Sequence, residues 1–174
     1  MSRKEILIVA GPNGAGKSTF AASYPGLATG ELTYVNADLI AVGLCPGEPA
    51  RAGIRAGRLM LAELDRLASS GQSFAFETTL SGRGHLRRIR RWRQDGYRVT
   101  LLFLSLPSAE HAVARVLQRV ALGGHDVPAD VIRRRYRAGL ANFRREYAPV
   151  VDEWLLFDNQ GNRPQMIERS STLA

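Results

Sequence analysis

Residues 6–19 run Ile6-Leu7-Ile8-Val9-Ala10-Gly11-Pro12-Asn13-Gly14-Ala15-Gly16-Lys17-Ser18-Thr19, five aliphatic residues that open directly into the spacing Gly-x-x-x-x-Gly-Lys-Ser. A continuous aliphatic run suits a strand covered on both faces, as in a parallel sheet. The glycines let the backbone fold back so that successive N–H groups converge on phosphate oxygens, and a helix starting at Lys17 adds the positive end of its dipole. Lys17 then reaches the β and γ phosphates, and the Ser18 hydroxyl is a ligand for Mg²⁺, whose other positions go to phosphate oxygens and water. The stretch is a P-loop, with an expected ATP-binding set of Gly11, Asn13, Gly14, Ala15, Gly16, Lys17, Ser18 and Thr19.

Outward from this loop the apolar pattern recurs at Thr33-Tyr34-Val35-Asn36, Ser73-Phe74-Ala75-Phe76, Val99 to Leu104 and Trp154-Leu155-Leu156-Phe157. Helical stretches separate these runs: Lys17 to Tyr24, Arg51 to Ser69, Gly84 to Gln94, and two between Ser108 and Ala148. The alternation implies right-handed βαβ crossovers. The expected architecture is a three-layer α/β P-loop NTPase fold, nucleoside-kinase-like, with a five-stranded, mainly parallel sheet. Residues 1–160 form the domain, and 161–174 form a hairpin or tail of it. Ile132, Tyr136, Leu140, Phe143 and Tyr147 share one arc, so the last helix packs inward. Between the last two helices, Leu122-Gly123-Gly124-His125-Asp126-Val127 has paired glycines and few core residues, which marks a helical lid over about 119–135.

A chain of 174 residues matches one domain, and its formal charge of +8, mostly arginine, favours anionic ligands. The single cysteine, Cys45, rules out an intramolecular disulfide and a cysteine-held zinc, and points to a reducing, cytoplasmic setting. The aliphatic run at 6–10 is far too short for a membrane span.

The rest of the site distinguishes among P-loop proteins. A motor or transporter ATPase carries a strand ending in Asp-Glu, with the Glu polarising water, and no such pair follows any strand here. Two strands end instead in isolated acids, Asp38 and Glu77, at the sheet edge where open α/β folds bind ligands. Asp38 fits a general base that also helps orient Mg²⁺, or an N-cap for a helix beginning at Leu39. Glu77 and Thr78 would meet a polyhydroxylated acceptor, or cap the strand exit. Leu80-Ser81-Gly82 matches the start of a transporter-ATPase signature but lies in the wrong place for one.

Phosphoryl transfer spreads charge over equatorial oxygens, which lid arginines neutralise. Arg119, Arg134 and Arg135 flank the glycine loop as phosphate clamps, and Arg115 is placed to stack on adenine. His125 fits a polar, substrate-facing residue of the lid turn better than a general base. A second cluster, Arg83, Arg87, Arg88, Arg90, Arg91 and Arg93, fits the wet side of an amphipathic helix; a nucleic-acid surface is the alternative, not favoured. The residues together describe an ATP-dependent kinase acting on a small-molecule hydroxyl, with an ATPase switch serving nucleic acid or a protein partner as the second reading.

The P-loop, Asn36-Ala37-Asp38-Leu39-Ile40-Ala41, Phe76-Glu77-Thr78-Thr79-Leu80-Ser81-Gly82, Gly123-Gly124-His125-Asp126-Val127-Pro128 with Arg134-Arg135, and Asp158-Asn159 resemble the zeta-toxin-like P-loop kinases in their short form, without a fused antitoxin. The resemblance spans about residues 5 to 160. It implies phosphorylation of the 3′-hydroxyl of UDP-N-acetylglucosamine or a related sugar nucleotide, with Asp38 as base. It also implies Asn36 at the substrate, Asn159 at ATP, lid arginines on the phosphates, and an antitoxin protein as partner.

Overall fold

The computed structural model describes residues 4–161 and 163–170. Five parallel strands, β1 (Glu5–Ala10), β2 (Thr33–Val35), β3 (Phe74–Thr78), β4 (Arg98–Ser105) and β5 (Glu153–Asp158), lie in the order β2-β3-β1-β4-β5. All five coincide with the predicted apolar runs. A sixth strand, β6 (Gln165–Arg169), pairs antiparallel with β5 and corrects the expected count of five. It is exposed along its whole length, so its sequence carries no alternation to reveal it. It forms the hairpin expected within 161–174, of which residues 162 and 171–174 lie outside the described residues.

The helices are α1 (Lys17–Ser23), α2 (Pro25–Ala28), α3 (Ala37–Leu44), α4 (Gly53–Ser69), α5 (Leu86–Gln94), α6 (Ala109–Ala121) and α7 (Ala129–Asn142). They cover both faces of the sheet. Alternate residues of β1 divide between the layers: Ile6, Ile8 and Ala10 face α4 and α5 with Met60, Leu64, Leu67, Ile89 and Trp92. Leu7 and Val9 face the other layer, with Ala21 of α1, Val113 and Val116 of α6 and Ile132 of α7. The inner strands β1, β3 and β4 are thus buried on both faces, as a continuous apolar run requires.

Beyond Asn142 the α7 ladder loosens into a π-helical turn, Phe143–Tyr147. This turn carries Phe143 onto Phe103, stacked at 4.7 Å between ring centroids, and buries Tyr147. Leu140, at the edge of the predicted inward arc, is exposed instead. At Gly139 a Cβ would lie 2.4 Å from the Thr79 carbonyl oxygen, so the absence of a side chain lets α7 press against the exit of β3. Leu80 in that exit has φ of +52°, a left-handed conformation costing a leucine about 1–2 kcal/mol. The turn is held by bonds from Leu80 N–H to the Thr78 hydroxyl and from the Asn142 amide to the Leu80 carbonyl.

Candidate active site

The loop between β1 and α1 adopts the conformation its glycines permit. Gly14 and Gly16 have φ of +77° and +79°, and a Cβ at Gly11 would lie 2.4 Å from the Leu104 carbonyl oxygen. The ends of two other strands fasten the loop. Gly11 N–H donates to the Thr78 carbonyl at the end of β3, and the Asn159 side-chain amide, just past β5, donates to the Ala15 carbonyl at 2.6 Å. The buried Asn159, an expected ATP contact, thus braces the loop from behind. Arg115 is also fixed, its guanidinium donating to the Asn159 carbonyl beside the loop.

Lys17 lies in the middle of this cradle, with Nζ donating to the carbonyls of Gly11 at 3.1 Å and Pro12 at 3.0 Å. Withdrawal of the ammonium from solvent lowers its pKa, while the carboxylates of Glu77 and Asp38 pull it back up and Arg119 and Arg135 depress it further. Two acids and two arginines therefore converge on one lysine.

Burial raises the Glu77 pKa, against the Lys17 charge and a hydrogen bond from Ser18 that favour the carboxylate. The Tyr34 hydroxyl also donates to Glu77, and the Asn36 amide donates to the Tyr34 oxygen. Glu77 was expected at the acceptor; its side chain lies beside the Lys17–Ser18 end of the loop. Tyr34 had no sequence signal beyond its place in an edge strand. Parallel pairing of Tyr34 with Ala75 sets it two residues from Glu77 in register, on the same face of the sheet.

The helix after β2 begins at Ala37, two residues earlier than Leu39, and its cap is Asn36, whose side-chain oxygen accepts from Asp38 N–H at 2.7 Å and from Leu39 N–H at 3.3 Å. Asn36, an expected substrate contact, is buried in this role. Asp38 is therefore not the cap and stands exposed in the first turn of α3.

Two cavities share this edge of the sheet. One, of about 400 Å³, is lined by the P-loop from Asn13 to Thr19 with Asp38, Glu77, Arg115, Arg119 and Leu122. The other, of about 540 Å³, lies among α3, the start of α4, the lid loop and α7, and is lined by Asn13, Asp38, His125 and Arg135 among others. Asn13 and Asp38 belong to both. A larger cavity of about 660 Å³ around Glu5, Tyr24 and Glu31 sits at the opposite, amino-terminal edge of the strands and has no cation in its lining.

Of the lid arginines, Arg135 reaches Asn13 Oδ1 at 3.4 Å and Arg119 donates to the His125 carbonyl at 2.6 Å. Arg134 points into solvent and lines neither cavity, so the structure brings two of the three expected clamps to the site. The lid glycines terminate α6 in a Schellman motif, with Gly123 N–H on the Val120 carbonyl and Gly124 N–H on that of Arg119. In the α5 cluster, Arg83, Arg88 and Arg93 pair with Glu146, Asp65 and Asp152. Internal pairing on this scale favours a solvated helix face over a polyanion surface.

The Ser18 hydroxyl with the Glu77 and Asp38 carboxylates offers only hard oxygens, the donor set that suits Mg²⁺. Among the described residues no group of three or more His, Cys, Asp or Glu side chains forms a metal cage, so such an ion would share ligands with phosphate and water.

Residues 6–145 match the AAA domain family. The chain belongs to that family. An uncharacterized protein of Haemophilus influenzae is 28% identical to this AAA domain over 134 residues, 77% of this chain and 94% of its own. Among solved structures, the PezAT toxin–antitoxin system of Streptococcus pneumoniae is similar with a TM-score of 0.70 and 14% identity, over 99% of this chain and 75% of that one. The AvrRxo1-ORF1:ORF2 complex with ATP gives 0.75 and 21%, over 96% of this chain and 58% of that one. A gluconokinase of Sinorhizobium meliloti gives 0.55 and 18%, over 90% and 83%. At these identities the likeness concerns the fold, which is that of the P-loop kinases. No helix among the described residues is long and apolar enough to cross a membrane.

Proposed function

We propose that this AAA domain is an ATP-dependent kinase that transfers the γ-phosphoryl group to a hydroxyl of a small molecule. The observation that carries the reading is the meeting of a P-loop cavity and a second cavity at Asn13 and Asp38. Nucleotide phosphates in the first cavity and an acceptor in the second come together where Asp38 stands.

The loop N–H groups and Lys17 hold the β and γ phosphates, and Arg119 offsets the charge that develops on the transferred group. Asp38 takes the acceptor proton as the hydroxyl oxygen bonds to the γ-phosphorus and the bond to the ADP oxygen breaks. Mg²⁺, when bound, would neutralise phosphate charge, with Ser18 as its ligand and Glu77 and Asp38 beside it. Glu77 keeps Ser18 and Lys17 in register with each other, and Tyr34 keeps Glu77 in place.

The resemblance of its motifs to the zeta-toxin-like kinases makes UDP-N-acetylglucosamine one acceptor to test and an antitoxin one partner to seek. A reducing, ATP-supplying cytoplasm is the fitting compartment. The decisive experiment incubates the protein and its Lys17→Ala variant with γ-labelled ATP and a panel of metabolite hydroxyl compounds. Label in a small molecule, absent with the variant, supports the kinase; label appearing only as inorganic phosphate contradicts it.

A further inference from the structure

We infer that the acceptor is a hydroxyl compound with a compact apolar body and at most one negative charge. The inference rests on the kinase reading, because it concerns what fills the second of the two cavities.

That cavity has its polar groups at one end and along the lid side. Asn13 and Asp38 lie where it meets the P-loop cavity, and His125, Asp126 and Arg135 come from the lid loop and α7. Elsewhere the wall is aliphatic, with Ala41, Val42, Pro49, Ile54, Val127 and Val131 contributed by four separate segments. Its room comes from small residues: Ala37, Ala41, Ala50 and Gly53 stand where longer side chains would fill the space.

Val42 and Ile54 remain 44% and 79% exposed. Scattered exposed aliphatics are ordinary, but two on the wall of one concave site form an apolar surface for a ligand to cover.

The charges point the same way. The cavity holds one guanidinium, Arg135, against the carboxylates of Asp38 and Asp126. Lys17 and Arg119 line the other cavity and are committed to the nucleotide. A diphosphate-bearing acceptor would bring two negative charges to a wall with one cation and two acids. Its sugar hydroxyls would be desolvated against Val42, Ile54 and Val131, with no partner for their hydrogen bonds. An acceptor with an apolar body avoids both costs, and Arg135 can match a single carboxylate.

The test measures kcat/KM for transfer from ATP·Mg²⁺ to primary alcohols from ethanol through 1-hexanol, beside glucose and UDP-N-acetylglucosamine. Burial of each methylene should raise kcat/KM about fourfold until the cavity is full. Val42→Ser and Ile54→Ser should flatten that rise. A flat dependence on chain length, or transfer confined to glucose or the sugar nucleotide, would overturn the apolar acceptor while leaving the kinase intact. Transfer to none of these acceptors, with ATP binding retained, would overturn the kinase reading and the inference with it.

Discussion

The Asn159 side-chain amide donates to the Ala15 carbonyl at 2.6 Å, tying the residue after β5 to the middle of the phosphate loop. The amide nitrogen also stands 2.9 Å from where a Cβ on Gly16 would lie, so the loop is packed as well as bonded there. Asn159→Asp sets a carboxylate against a carbonyl oxygen and removes a buried donor, a change of about 1–3 kcal/mol. The expected result is ATP affinity reduced roughly 5- to 150-fold at that magnitude, read by calorimetric titration. Unchanged affinity would show that the loop holds its shape without this brace.

Tyr34 acts on the site through Glu77. Burial already raises the Glu77 pKa, and a donor to its carboxylate holds it down, so Tyr34→Phe should raise it further. If the charged carboxylate is the active form, rate is lost as pH falls through that pKa. The acid limb of the pH–rate profile should then move to higher pH in Tyr34→Phe, with ATP affinity at alkaline pH little changed. An acid limb that stays in place would remove Glu77 from the working set.

Much of this arrangement was legible in the sequence. The inner parallel strands are apolar runs because they are covered on both faces, and the P-loop spacing fixes where β1 ends and α1 begins. What escaped depended on three-dimensional neighbours. Asn36 and Asp38 are both good capping residues two positions apart, and only the helix start at Ala37 decides which one caps. Arg133, Arg134 and Arg135 are identical in composition but lie about 100° apart around α7, so one pairs with Glu110, one meets solvent and one reaches Asn13. Tyr34 meets Glu77 through strand register, which no local pattern encodes.

His85 lies against Phe76 at 5.0 Å between ring centroids, and its Nδ1 is buried without a hydrogen-bond partner among the described residues. Burial, assisted by the Arg88 charge, depresses its pKa from 6.5 to about 4. Between those values the unfolded chain binds a proton that the native state refuses, so stability falls as the pH drops from 6.5 toward 4. The contribution is about 3 kcal/mol over that window. His85→Leu should lose that part of the acid sensitivity in urea denaturation at pH 6.5 and pH 4, and an equal loss in both proteins would contradict the assignment.

Gly124 governs Arg119. A Cβ at Gly124 would fall 2.5 Å from Arg119 Cγ and 2.9 Å from its carbonyl oxygen, so Gly124→Ala must displace the arginine stem or open the Schellman turn. Since Arg119 also donates to the His125 carbonyl, the displacement reaches the lid. The expected outcome is a drop in kcat on the order of 10²-fold, the scale of one lost transition-state donor, with thermal stability nearly unchanged. Wild-type kcat in this variant would mean that Arg119 does not act in transfer.

Asp38 stands where transfer would occur, because it lines both cavities and is free of the capping role that Asn36 performs. Asp38→Asn preserves size and shape, and removes only the charge and the capacity to take a proton. The direct measurement is kcat for wild type and Asp38→Asn across a Mg²⁺ titration, with ATP affinity determined separately. A base at this position means a loss of roughly 10²- to 10⁴-fold in kcat, not restored by raising Mg²⁺, with ATP still bound. Near-normal kcat would contradict any catalytic part for Asp38, and recovery at high Mg²⁺ would make it a metal-site residue instead of the base.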